Sequence, residues 1–191
     1  MSRQRVAAWV FVLALGAAGT AAAQEERQRG KVNVFLRGGV GNYTGELGES
    51  FEVGPAWGVT LNVQPLRFLG FELGYDGARN AGKTLLLEHA LVRHGATGLI
   101  KLSLPFELVK PFVGGGLGIS HLSASGDFEG AFGSDMVEEV PVALGIEFNT
   151  GRLTAGARAT YRLLLGQDLS EQAEDPDGGF FDVTLTLGAR F

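Results

Sequence analysis

The chain has 191 residues with 30 Gly, 6 Pro and no Cys, and 45% of it is hydrophobic. That length is enough for one domain with a full core, while the lack of Cys excludes a disulfide framework and thiolate chemistry, and no metal site or cofactor is expected. A formal charge of −5 argues against a nucleic-acid partner.

Residues 1–23 have the layout of a cleaved signal peptide. Arg3 and Arg5 supply a positive start, Val6 to Gly19 an apolar run, and Ala21-Ala22-Ala23 a small-residue cleavage site before Gln24. An apolar run of about 14 residues is short of the roughly 20 that a membrane-spanning helix needs. No Cys follows the site, so lipoprotein processing is excluded. Residues 24–30 form a short polar periplasmic lead, and residues 31–191 carry the fold.

Eight strand-like segments follow, recognised by period-two alternation. The first is Val32 to Gly41, with Val32, Val34, Leu36 and Val40 on one face and Asn33, Phe35 and Arg37 on the other. Ala56 to Val63 and Phe68 to Asp76 are the second and third. The fourth, Ala90 to Leu104, sets Val92, Ala96, Ile100 and Leu102 against Arg93, Thr97, Lys101 and Ser103. The fifth, Phe112 to Ser120, is glycine-rich. The sixth is Val140 to Phe148, where Pro141 marks a strand end. The seventh is Leu153 to Leu163. The eighth, Phe181 to Phe191, alternates without a break and ends on an aromatic.

The connections alternate in length. Gln64 to Arg67, Pro105 to Pro111 and Asn149 to Arg152 are short; Asn42 to Pro55, Gly77 to His89, His121 to Glu139 and Leu164 to Gly179 are long and polar. This rhythm predicts an all-β fold, an eight-stranded antiparallel up-and-down transmembrane β-barrel with short periplasmic turns and long external loops.

Alternation alone leaves two barrels open. A soluble lipocalin-like lipid binder also alternates, with its apolar face inward. Here the apolar face carries the bulky residues, and the polar face carries Gly, Ala, Thr and charges of both signs. A narrow interior takes small residues, and enclosed charges must pair. Arg37, Glu72, Asp76, Arg93, Lys101, Glu147, Arg158, Arg162, Asp182 and Arg190 are therefore predicted to form an interior ion-pair network. Trp57, Tyr75, Tyr161 and Phe181 fall at the loop end of the outward face and Phe148 and Phe191 at the turn end, as two aromatic girdles at the membrane interfaces.

Residues 31–191 resemble the OmpA/OmpX-like family of small eight-stranded outer-membrane barrels. The resemblance rests on Lys110-Pro111-Phe112-Val113-Gly114-Gly115-Gly116-Leu117-Gly118, similar to that family's Pro-aromatic, glycine-rich strand, and on the aromatic-terminated last strand ending at Phe191. It implies location in the bacterial outer membrane, contact with membrane lipid and lipopolysaccharide, delivery to the barrel-assembly machinery through the last strand, and a monomeric barrel with no open pore and a structural or surface-interaction role. No peptidoglycan-binding domain follows Phe191, so that anchoring role is not expected.

Three constellations have chemical alternatives. Glu72, Arg93 and Arg158 could line a proton or small-ion path, against a purely structural role. His121 and Ser123, placed just past the fifth strand, could serve a hydrolase with Glu129 or Asp135 as the acid. Lipid A deacylases resemble this arrangement, although the surrounding sequence does not match theirs. His89 and His94, five residues apart, point to opposite faces and make a poor metal pair. The acidic long loops, including Glu46, Glu49, Glu52, Asp127, Glu129, Asp135, Glu138 and Glu139, are expected to be solvated, with bridging to lipopolysaccharide through divalent cations as the functional variant.

Overall fold

The structure is a computed structural model that describes residues 31–83, 90–104, 106, 108–125, 135–150, 152–165 and 178–190. Eight antiparallel strands close into a barrel in chain order: β1 (Lys31–Tyr43), β2 (Gly54–Gln64), β3 (Leu69–Ala81), β4 (Ala90–Ser103), β5 (Val109–Ser125), β6 (Asp135–Thr150), β7 (Leu153–Leu165) and β8 (Gly179–Arg190). The closing seam pairs β1 with β8 from Asn33↔Arg190 to Tyr43↔Phe180. Closure satisfies both edges of the sheet, which an open sheet of this length would leave unpaired. One six-residue helix, α1 (Gly45–Ser50), follows β1, and Gly45 at its start has a φ of 66°, a left-handed conformation that glycine adopts without a Cβ penalty.

Alternation along each strand sorts the side chains between wall and interior. Leu36, Leu73, Leu117, Leu144 and Leu185 stand exposed on the outside. Arg37, Glu72, Lys101, Arg158 and Asp182 are buried inside. The polarity is therefore the reverse of a lipocalin, whose apolar face lines a cavity. Among the described residues no helix is long and apolar enough to cross a membrane.

Several strands run further toward the long-loop end than alternation indicates. Asn42 and Tyr43 belong to β1, Gly77 to Ala81 to β3, His121 to Ser125 to β5, and Asp135 to Glu139 to β6. The ladder continues there, for instance Ala81↔Ala90 and Leu122↔Asp135, beyond the outward oily stripe. Pro141 is likewise inside β6 rather than at its end. It keeps its place against Arg162 on β7, while the β5 register runs to Gly115↔Val142 and resumes at Gly118↔Glu139. A proline has no N–H to give to one neighbour, so the ladder is interrupted on that side only.

An apolar plug fills the loop end of the interior. Tyr43, Ala56, Ala78, Leu122, Val137, Leu164 and Phe180 pack together, with Leu47 of α1 and Phe51 against them. Tyr43 meets Phe180 edge-on at 5.1 Å between ring centroids.

Close backbone approach at Gly116 leaves no room for a side chain without a backbone shift: a Cβ there would lie 1.9 Å from the Gly98 carbonyl oxygen. At Gly38, on the outer wall, a Cβ would meet nothing within 4 Å. Gly116→Val is expected to cost roughly 1–3 kcal/mol and Gly38→Ala less than about 0.5 kcal/mol, read by urea unfolding of the barrel folded in lipid vesicles.

Candidate functional site: the interior ion network

Every strand contributes polar side chains to the interior, and the charges gather in two clusters. In the lower one, toward the short turns, Lys101 of β4 lies between two carboxylates. Its Nζ is 2.9 Å from Glu72 Oε1 and 2.7 Å from Glu147 Oε1. Glu72 Oε2 accepts from Arg158 Nη1 at 2.6 Å, and its Oε1 accepts from Asn62 Nδ2 at 3.0 Å. Phe112 packs beneath both cations, with Lys101 Nζ 4.8 Å and the Arg158 guanidinium 5.8 Å from the ring centroid. Two cations and two anions are thus enclosed together.

The upper cluster is larger. Arg37 pairs with Asp76, and Thr97 donates to the second oxygen of that carboxylate at 3.1 Å. Arg162 pairs with Asp182 and reaches Asp76 at 3.5 Å and Glu139 at 3.8 Å. Arg93 forms a two-pronged pair with Glu139, its Nε donating to Oε1 at 2.8 Å, and Ser120 donates to the same oxygen at 2.6 Å. Three cations face three anions, and the Phe180 ring lies over this group, 5.5 Å from the Arg93 guanidinium and 5.7 Å from that of Arg162. A cavity among Arg37, Asp76, Arg93, Arg162, Phe180 and Asp182 measures about 10 Å³, at the lower limit of what holds one water.

Of the sequence-predicted interior residues, Arg37, Glu72, Arg93, Lys101, Glu147, Arg158, Arg162 and Asp182 are all buried and take part in these two groups. Arg190 stands apart at the turn end, where its Nη2 donates to Asn149 Oδ1 at 2.6 Å and its Nε to Asn33 Oδ1 at 3.3 Å. Glu139 was expected to be a solvated loop acid. It is instead an inward-facing residue of β6 and the partner of Arg93. Its position directly before the alternating run Val140 to Phe148 keeps the parity of Glu147, which is the signal that identifies it. Glu72 and Arg158 touch, but Arg93 belongs to the other cluster, so the three do not form one line of contacts.

The outer surface carries the aromatics. Trp57, Tyr75, Phe148 and Phe181 are exposed on the outer wall. Tyr161 is half-buried beside Thr44, its oxygen 3.2 Å from the threonine hydroxyl. Phe68 and Phe106 add to the turn end. Phe191 lies outside the described residues.

His121 and Ser123 are within β5, not past it, both half-buried on its outward face. Ser123 Oγ is 3.5 Å from the Val92 carbonyl oxygen. Met136 pairs with His121, and Asp135 pairs with Leu122, whose side chain is buried in the interior plug. The position directly opposite His121 is therefore a thioether rather than a carboxylate. Glu129 and Asp127 lie outside the described residues, as does His89.

With this geometry in place, comparison with known proteins identifies the architecture. Neither a protein-family model nor a curated protein matches the chain. Solved structures do. Ail, the attachment invasion locus protein of Yersinia pestis, in complex with the heparin analogue sucrose octasulfate, matches with a TM-score of 0.62 and 14% identity over 86% of this chain and 100% of that one. Neisserial surface protein A matches with a TM-score of 0.60 and 16% identity over 85% and 100%. OprG of Pseudomonas aeruginosa gives 0.50 and 13% over 87% and 99%. The fold is that of the small outer-membrane β-barrels. The shared feature is the closed eight-stranded antiparallel wall.

Removing Glu139 leaves Arg93 buried without its carboxylate. Glu139→Leu is expected to lower unfolding stability by about 3–5 kcal/mol, and the double variant Arg93→Leu/Glu139→Leu by less than the single one. Glu138→Leu, on the outer face, should change it by less than about 0.5 kcal/mol. Urea titration in lipid vesicles separates the three.

Proposed function

We propose that this chain is a monomeric outer-membrane barrel with a structural or surface-interaction role, without catalysis and without an open pore. The observation that carries the reading is the polarity of the wall. Bulky apolar residues cover the outside, where hydrocarbon would meet them, and the charges are confined to the interior. Side chains and the two ion clusters fill the lumen, and an eight-stranded barrel has an interior just wide enough for that. A plugged barrel offers its external rim and loops, rather than a channel, to other molecules. Assembly through β8 by the barrel-assembly machinery and contact with lipopolysaccharide at the rim follow from the same reading.

A lipid A-modifying hydrolase on His121 and Ser123 is the competing activity. Met136, rather than a carboxylate, stands directly opposite His121, which favours the non-catalytic reading. Lipid A from cells with and without the protein should have identical acylation by mass spectrometry; a change that depends on Ser123 would replace the non-catalytic reading.

The location is tested separately. The protein is expected in the outer-membrane fraction, migrating faster in gels when unheated, whereas recovery in the soluble periplasm would overturn the proposal. Leu185→Arg, at an outward position of β8 that is 72% exposed, should cost about 2–4 kcal/mol if the side chain faces the middle of a bilayer.

A further inference from the structure

The outer wall holds a second group of chemistry-bearing residues that the interior network does not use. Register places His94 of β4 directly opposite His121 of β5, and His121 directly opposite Met136 of β6. All three belong to the outward parity of their strands: Ala96, Ile119 and Val142 of the same three faces are exposed, and Met136 is itself 65% exposed. They form one transverse row near the loop end of the barrel. The chain contains three His, two Met and no Cys. Two of the three histidines and the only methionine besides Met1 therefore stand side by side.

Directly opposed residues of an antiparallel pair have Cβ atoms about 4.5–5.5 Å apart. Two imidazoles at that separation can converge on a single ion bound at about 2.0–2.1 Å from each nitrogen. His94 is held on its β3 side. Its Nδ1 lies 2.8 Å from the Tyr75 hydroxyl oxygen, and the Tyr75 ring stacks on it at 6.0 Å between centroids. Trp57 meets the same imidazole edge-on at 6.4 Å. In the tautomer whose Nδ1–H donates to the Tyr75 oxygen, Nε2 is left free to bind a metal, the arrangement found where a second residue orients a metal-binding histidine. An interfacial aromatic belt accounts for Trp57 and Tyr75. It gives no reason for two histidines to stand opposite each other.

The third donor decides the metal. Among the described residues no three side chains of His, Cys, Asp or Glu gather where they could hold an ion. Glu138, the next outward residue of β6, is paired with Ile119 instead. The thioether of Met136 is the donor in line with the two imidazoles, and it is flexible enough to swing over His121. A set of two imidazoles and one thioether is soft, suited to Cu(I) and poorly suited to Ca²⁺ or Mg²⁺. We propose that His94, His121 and Met136 form a copper(I)-binding site on the outer wall of the barrel, with Tyr75 as the positioning residue for His94. The sequence pattern hid it, because the three residues are separated along the chain and meet only through strand register.

The test is an anaerobic titration of the mature barrel, folded in detergent, with Cu(I) buffered by bicinchoninate. The folded protein should withdraw a single copper per chain from the chelator, and its X-ray absorption spectrum should show sulfur beside nitrogen around the metal. His94→Asn and His121→Asn should abolish uptake while the heat-modifiable gel shift persists. Tyr75→Phe should weaken uptake by roughly tenfold or more. Met136→Leu should remove the sulfur signature and the preference for Cu(I) over Zn²⁺. His89→Asn should change nothing. No uptake by the wild-type barrel, uptake unaltered in His121→Asn, or a coordination shell of nitrogen and oxygen alone would each overturn the proposal, and the first and last of these are read on the wild-type protein.

Discussion

Enclosed charge is the constraint on which the rest of this barrel depends. A closed wall of eight strands leaves a narrow interior with little room for water, so ionic groups placed there must neutralise one another. The lower cluster sets Lys101 and Arg158 against Glu72 and Glu147, and the upper one sets Arg37, Arg93 and Arg162 against Asp76, Glu139 and Asp182. Each is balanced within itself. These pairs join residues far apart in sequence, including Arg158 with Glu72 and Arg93 with Glu139. Arg158 of β7 reaches Glu72 of β3 across the lumen, and Arg37–Asp76, Arg93–Glu139 and Lys101–Glu147 each skip one strand, whereas Lys101–Glu72 and Arg162–Asp182 join neighbouring strands. Buried ion pairs contribute little net stability compared with apolar packing, but an unmatched partner is costly. A register error would leave such a charge buried without its partner.

The wall and the plug follow from the same division of labour. Most bulky apolar side chains cover the outside, while Phe35, Leu99 and Phe112 are buried in the interior with the charges. Aromatic rings mediate where the two chemistries meet inside: Phe112 lies against Lys101 and Arg158, and Phe180 lies between the upper cluster and the apolar plug. Above Phe180 the interior turns apolar through Leu122, Val137 and Leu164.

Most of the architecture was legible in the sequence, because a period of two registers burial directly: Arg37, Lys101 and Asp182 each occupy the face that alternation assigns to them. What was not legible has two physical causes. Alternation weakens where a strand leaves the apolar band, so the upper parts of β3, β5 and β6 were read as loop, and Glu139 with them. Pro141 was read as a strand end because one missing N–H is disruptive in general; here only the β5 side of the ladder is interrupted. The row of His94, His121 and Met136 depends on register between strands, which no spacing along the chain reveals. The hydrolase candidate was limited in the same way, since the residue across from His121 is known only once β5 and β6 are aligned.

The central claim is that adjacent residues of one strand face lipid and ion network in turn. Because the chain has no native Cys, a nitroxide can be attached cleanly at Leu185→Cys or at Thr184→Cys in the barrel reconstituted into vesicles. The account predicts that the label at position 185 relaxes strongly with lipid-soluble oxygen and weakly with a water-soluble nickel complex. The label at position 184, where the native side chain is 3% exposed, should respond weakly to both. Strong oxygen accessibility at 184 with protection at 185 would contradict the assignment of inside and outside on which the whole account stands.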